Sequence, residues 1–151
     1  MKKRLIFNLG FGLLIILLDQ ILKFLIINKS IKIIDNVFNF TYTQNSGAAF
    51  GIGNNIVVSI LTCILLIIFC IYIYKNRYTI NNYILYTSIL AGSISNLLDR
   101  LFRGYVIDFI DIDFLDFPCF NIADICIVIG VIILMWYIIK EIIFDKNKIK
   151  A

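Results

Sequence analysis

Residues 5–27 read LIFNLGFGLLIILLDQILKFLII. An apolar run of this length matches the roughly 17–25 residues that carry a helix through about 30 Å of hydrocarbon. Residues 56–74, 80–98 and 123–144 have the same character. A chain in lipid must satisfy its backbone hydrogen bonds internally, so all four runs read as helices. Composition agrees: 61% of the 151 residues are hydrophobic and 16% charged, where a soluble domain is about half apolar and a quarter charged. The expected fold is an all-α membrane protein of four transmembrane helices, with a small extracytoplasmic β-containing segment between helices 1 and 2. Residues 1–151 form one domain. Met1 to Arg4 is basic like the start of a signal peptide, but the run behind it exceeds an apolar core of about 7–15 residues. It also carries Asp19 and Lys23, and is read as a retained span.

Basic residues orient the spans. One side holds Lys2, Lys3, Arg4, Lys75, Arg77, Lys140, Lys146, Lys148 and Lys150, and the other Lys29, Lys32, Arg100 and Arg103. Nine against four places both termini in the cytoplasm. The net charge of +4 is then a topology signal, with no nucleic-acid patch.

Cys63, Cys70 and Cys126 fall inside spans as small apolar residues, and Cys119 stands alone in an outer segment. No CxxC spacing points to zinc or a redox pair. The chain has no histidine, which removes Ser-His and Cys-His catalysis and histidine-ligated metals. In the first outer segment, Phe38, Phe40 and Tyr42 alternate with Asn39, Thr41 and Thr43, the period of a half-buried strand over residues 37–43. Residues 44–51, QNSGAAFG, are small enough for close backbone approach. The second outer segment, residues 99–121, is acidic and holds the only proline, Pro118. The inner loop at residues 75–79 is short and basic.

Ionisable groups inside a membrane are costly and mark function. Asp19 lies about 21 Å along the first helix from Leu5, which puts Asp19, Gln20 and Lys23 toward its outer end. Asp19 and Lys23 are spaced i,i+4 with the acid first, the favourable order for a pair. Gly92, Asn96, Asp99 and Arg100 share one face at the outer end of the third helix. The fourth helix starts from Asn121 and Asp124 at the same level. Structural readings stand beside the functional one. Asp19 and Lys23 can be a structural pair; Asn96 and Asn121 can cap or join helices; Asp99 is expected to pair with Arg100. Asp111, Asp113 and Asp116 read as a solvated loop, and Asp124 as a helix-start acid favoured by the dipole.

Five motifs occur in order along the chain. They are Asp19-Gln-x-x-Lys23, Thr43-x-Asn45-x-Gly-Ala-Ala-Phe50, Gly92-x-x-x-Asn96-x-x-Asp-Arg100, Gly104-x-Val-x-Asp-Phe109 and Phe120-Asn-x-Ala-Asp124. Together the chain resembles the bacterial lipoprotein signal peptidases, the signal peptidase II family of aspartyl peptidases. The departures are Ser93, where a second small Gly or Ala is common, and Ile107, a variation on valine. The resemblance implies an endopeptidase that removes signal peptides from diacylglyceryl-modified prolipoproteins, cutting just before the lipidated cysteine. It implies Asp108 and Asp124 as catalytic residues. Asp19, Lys23, Asn45, Gly92, Asn96, Asp99, Arg100, Asn121 and Ala123 match the family's supporting positions. It implies no cofactor or metal, inhibition by globomycin, a monomer among membrane lipids, and a place in the bacterial cytoplasmic membrane with the site near its outer face.

Two carboxyls held close cannot easily both ionise, so one can take a proton from water while its neighbour donates one. The 16 residues between Asp108 and Asp124 allow a short excursion to fold back and bring them together. Two rivals differ in what they need. A four-span transporter would couple protons through Asp19 near mid-bilayer and have short outer loops. A magnesium-dependent lipid transferase would use Asp108, Asp111, Asp113 and Asp116 as ligands.

Overall fold

The computed structural model describes residues 2–47, 53–75, 83–115 and 117–148. Residues 48–51 of the glycine-bearing stretch, most of the 75–79 loop with Arg77, the start of the third expected span, Asp116 and Lys150 lie outside the described residues.

The four apolar runs are helices. They are α1 (Lys2–Ile26), α2 (Asn55–Lys75), α3 (Tyr83–Arg103) and α4 (Ile122–Lys148). Their ends follow local chemistry. Past α1 the chain turns at Asn28, in the left-handed region at φ 57°, and Lys29 N bonds Ile26 O at 2.9 Å. Asn54 Oδ1 caps α2 by accepting from Ile56 N at 2.8 Å. α3 stops at Gly104, whose φ of 83° favours glycine. α4 opens with a capping box: Asp124 N donates to Asn121 Oδ1 at 2.9 Å, and Asn121 N donates to Asp124 Oδ2 at 3.1 Å.

The β-containing segment is larger than expected. Strands β1 (Ser30–Ile34), β2 (Phe38–Asn45) and β3 (Val106–Asp111) form an antiparallel sheet in the order β1-β2-β3. Only β2 carries the alternating pattern that marks a strand in sequence. β1 is exposed at all five positions, so nothing selects one face. β3 is buried along Val106–Phe109, with Asp108 among apolar neighbours, so its residues do not alternate by polarity. It belongs to the acidic segment between α3 and α4, so the sheet draws on both outer segments. The aromatic face of β2 packs inward: the Phe40 ring lies 6.0 Å from Phe109, in a small core built on Ile26, Ile107 and Phe109.

α3 packs against each of the other three helices. It approaches α4 so closely at Gly92 that a Cβ there would sit 2.5 Å from Ala123 O. Three helical segments are long and apolar enough to cross a membrane, Ile6–Ile26, Asn55–Lys75 and Ile122–Lys140. Leu14, Leu65, Ile132 and Trp136 are all more than half exposed on α1, α2 and α4, as lipid-facing side chains are. The protein is therefore a multi-pass membrane protein. α3 is not among those three segments, because it buries Ser95, Asn96 and Asp99 on its inner face and carries Arg100 and Arg103 in its last turn.

Candidate active site

The site is built on a buried ion cluster. Lys23 is fully buried and spends its three N–H donors on Asp19 Oδ2 at 2.7 Å, Asn96 Oδ1 at 2.8 Å and Asp99 Oδ2 at 3.0 Å. The expected Asp19–Lys23 pair is present. Asp99 pairs differently from expectation: its partners are Lys23 and Arg103, not Arg100. Adjacent helical residues point to different sides, whereas Asp99 and Arg103 at i,i+4 share a face. Ser95 Oγ donates to Asp19 Oδ2 at 2.7 Å, and Gln20 Nε2 to Asp99 Oδ1 at 2.9 Å. Two acids balance two bases, and the carboxylates are hydrogen-bonded, as buried charges require.

Asp108 and Asp124 stand beside this cluster and share a set of amides. β3 carries Asp108 opposite Thr43 of β2, and the first turn of α4 carries Asp124. The chain returns from β3 through a bridge, with Phe120 N bonding Ile110 O at 3.1 Å, and α4 begins at once. Asn121 Nδ2 donates to Asp108 Oδ1 at 2.6 Å while Asn121 Oδ1 accepts from Asp124 N. Asn45 Nδ2 donates to Asp108 Oδ2 at 3.0 Å, and Asn96 Nδ2 to Asp124 Oδ1 at 2.7 Å. Asn121 therefore touches both acidic residues. Burial pushes the Asp108 carboxyl up to about 6, against the Asn45 hydrogen bond, and the nearby Asp124 charge pushes the same way.

Both carboxyls line one cavity of about 770 Å³, together with Asn45, Asn96 and Arg100. Its remaining wall is mostly apolar, including Leu65 and Phe69 of α2 and Ile127, Val131 and Leu134 of α4. Asp124 and Leu134 are ten residues apart, so the cavity follows about 15 Å of α4. Arg100 donates to Gly47 O at 3.1 Å and to Asn96 O at 3.4 Å, which holds the end of the described Gln44–Gly47 stretch over the polar zone.

Every expected site residue lies in or against this network. Gly92 and Ala123 contribute the helix contact, and Ala123 N donates to Asp19 Oδ1 at 3.0 Å. Asp111 and Asp113 do not join it. Asp113 is not a free solvated acid either, because it accepts from the buried Asn39 Nδ2 at 2.6 Å. Ser95 was not singled out in the sequence and Arg103 was read only as an orienting charge, although each is spaced i,i±4 from Asp99 on the polar face of α3.

Residues 11–140 match the signal peptidase (SPase) II family profile. The chain belongs to the signal peptidase II family. It is 38% identical to a lipoprotein signal peptidase of Fusobacterium nucleatum, over 90% of this chain and 86% of that one. It is 41% identical to one of Halothermothrix orenii, over 85% and 92%. A bacterial membrane enzyme solved by the in meso method superposes with a TM-score of 0.81 at 32% identity, covering 89% of this chain and 88% of that one. The matched region covers most of the chain, and the polar network lies within it.

Proposed function

We propose that this chain removes signal peptides from diacylglyceryl-modified prolipoproteins by hydrolysis at a carboxyl dyad, Asp108 and Asp124, cutting just before the lipidated cysteine. The observation that carries the reading is the shared cavity: two carboxyls joined through Asn121, by its side-chain amide to Asp108 and its backbone N–H to Asp124, open onto an apolar wall along α2 and α4. A peptide bond entering beside an acyl chain and an apolar helix meets the acids without leaving a lipid-like surface.

Water placed between the carboxyls loses a proton to the ionised one and attacks the carbonyl carbon. The protonated carboxyl donates to the carbonyl oxygen, and proton return to the leaving amine completes the cleavage. A carboxyl held near 6, as Asp108 is, keeps a protonated fraction close to neutral pH, which the dyad needs. Acid and base roles belong to the pair. The Asn45, Asn96 and Asn121 amides fix which oxygens face the bond. The magnesium reading needs Asp111 and Asp113 gathered with Asp108, and among the described residues no such group forms.

In this reading α3 is a fourth crossing, its polar face shielded by α1 and α4. Both termini are cytoplasmic, as the basic residues favour, and the site lies near the outer face of the bacterial cytoplasmic membrane. The chain acts as a monomer on lipid-modified prolipoproteins, with no nucleic-acid partner.

The test is one precursor in two forms, given to the purified protein in detergent. The diacylglyceryl form should be cut and the unlipidated form cut slowly or not at all, with globomycin blocking the reaction. Equal rates on both forms would remove the lipoprotein specificity and leave a membrane peptidase.

A further inference from the structure

Two hydrogen bonds of the buried cluster run to backbone amides. Asp99 Oδ2 accepts from Ile107 N at 3.1 Å, and Asp19 Oδ1 accepts from Ala123 N at 3.0 Å. Ile107 immediately precedes Asp108, and Ala123 immediately precedes Asp124. The two carboxylates that grip these amides are tied together by one ammonium, Lys23.

We infer that Lys23 is a positioning residue that sets the separation of Asp108 and Asp124, acting through Asp99 on the strand that carries one and through Asp19 on the helix that carries the other. This rests on the dyad reading above. The two clamps join different elements, β3 and the start of α4, which otherwise meet through Asn121 and the Phe120 bridge. The same ammonium also orients Asn96. By donating to Asn96 Oδ1 it turns Asn96 Nδ2 toward Asp124 Oδ1. Three donors thus fix two backbones and one amide. Backbone hydrogen bonds to a charged acceptor are stronger than those to a neutral one, and a buried, fully paired group has little freedom to relax. Lys23 touches neither dyad carboxyl, so its part is geometric. The charged groups facing it are Asp19 on its own helix, Asp99 on α3, Asp108 from β3 and Asp124 from α4, with Arg103 closing the far side of Asp99.

The test uses the full chain in detergent with the diacylglyceryl precursor. Lys23→Met is made alone and together with Asp19→Asn, which leaves Asp99 paired with Arg103 and no net charge in the cluster while keeping an acceptor for each amide. Folding is followed by monodispersity and thermal unfolding. In either folded variant kcat should fall about 10²-fold, the scale of a 1 Å misplacement, with KM changed less than about twofold. The interval between the two limbs of the pH–rate profile should also change. Loss of charge alone moves both limbs the same way; a change in their spacing reports altered coupling between the carboxyls. Unchanged kcat and limb spacing in a folded variant would overturn the proposal. So would failure of both variants to fold, which would make the cluster a requirement of the fold alone. Failure of the dyad reading looks different: Asp108→Asn would itself remain active.

Discussion

Asp108 is the residue at which stability and chemistry pull apart. Its carboxyl is buried and raised from 3.8 to about 6, so the folded state holds the proton more tightly than the unfolded chain. Ionisation is then a cost to folding, absent below about pH 4 and complete above about pH 6; stability from this group falls as pH rises across that window. Asp108→Asn should flatten this part of the pH dependence, read by thermal unfolding at several pH values; the amide removes the ionisation cost but turns an N–H toward one of the two amide donors, so the two effects offset at neutral pH. An unchanged slope between about pH 4 and pH 6 would contradict it. Asn121→Ala should destabilise the protein, losing about 1 kcal/mol of cap and the shared donor to Asp108. Much of this was legible in the sequence, since Asn45, Asn96, Asp108, Asn121 and Asp124 all fall in recognisable motifs. The partner of Asp99 was not. Sequence adjacency favoured Arg100, but helix geometry turns Asp99 toward Lys23 and Arg103.

At the scale of elements, the contact of α3 with α4 matters most, because it sets where Asp124 sits relative to Asn96. Gly92→Ala would place a methyl 2.5 Å from Ala123 O, against backbone that cannot turn aside. It should cost about 1–3 kcal/mol and slow cleavage, whereas the same change at Gly10, where a Cβ meets nothing within 4 Å, should do neither. Unfolding and cleavage assays on the two variants separate these outcomes. The helices were readable because lipid selects long apolar runs. Of the strands, β2 was readable by its alternation alone. β1 and β3 were hidden, the first because every position is exposed, the second because burial of Asp108 erased the pattern.

For the whole molecule, the proposed topology puts Cys119 on the outer side, partly buried in the cavity wall. Burial pushes its thiol up, so a membrane-impermeant thiol reagent added from outside should label it slowly near pH 7 and faster as pH rises. Labelling only after the inner face is opened would reverse the orientation. The central claim is hydrolysis by two carboxyls in a shared cavity, and it is tested most directly by measuring cleavage of one diacylglyceryl precursor by Asp108→Asn and Asp124→Asn, each confirmed folded, with and without a chelator. Either amide keeps the size of the acid and one accepting oxygen but cannot take and return the proton. Each single variant should lose about 10³-fold or more, the double variant scarcely more than either, and the wild type should be indifferent to the chelator. Near-normal turnover in either single variant, or loss on chelation that magnesium restores, would contradict the dyad.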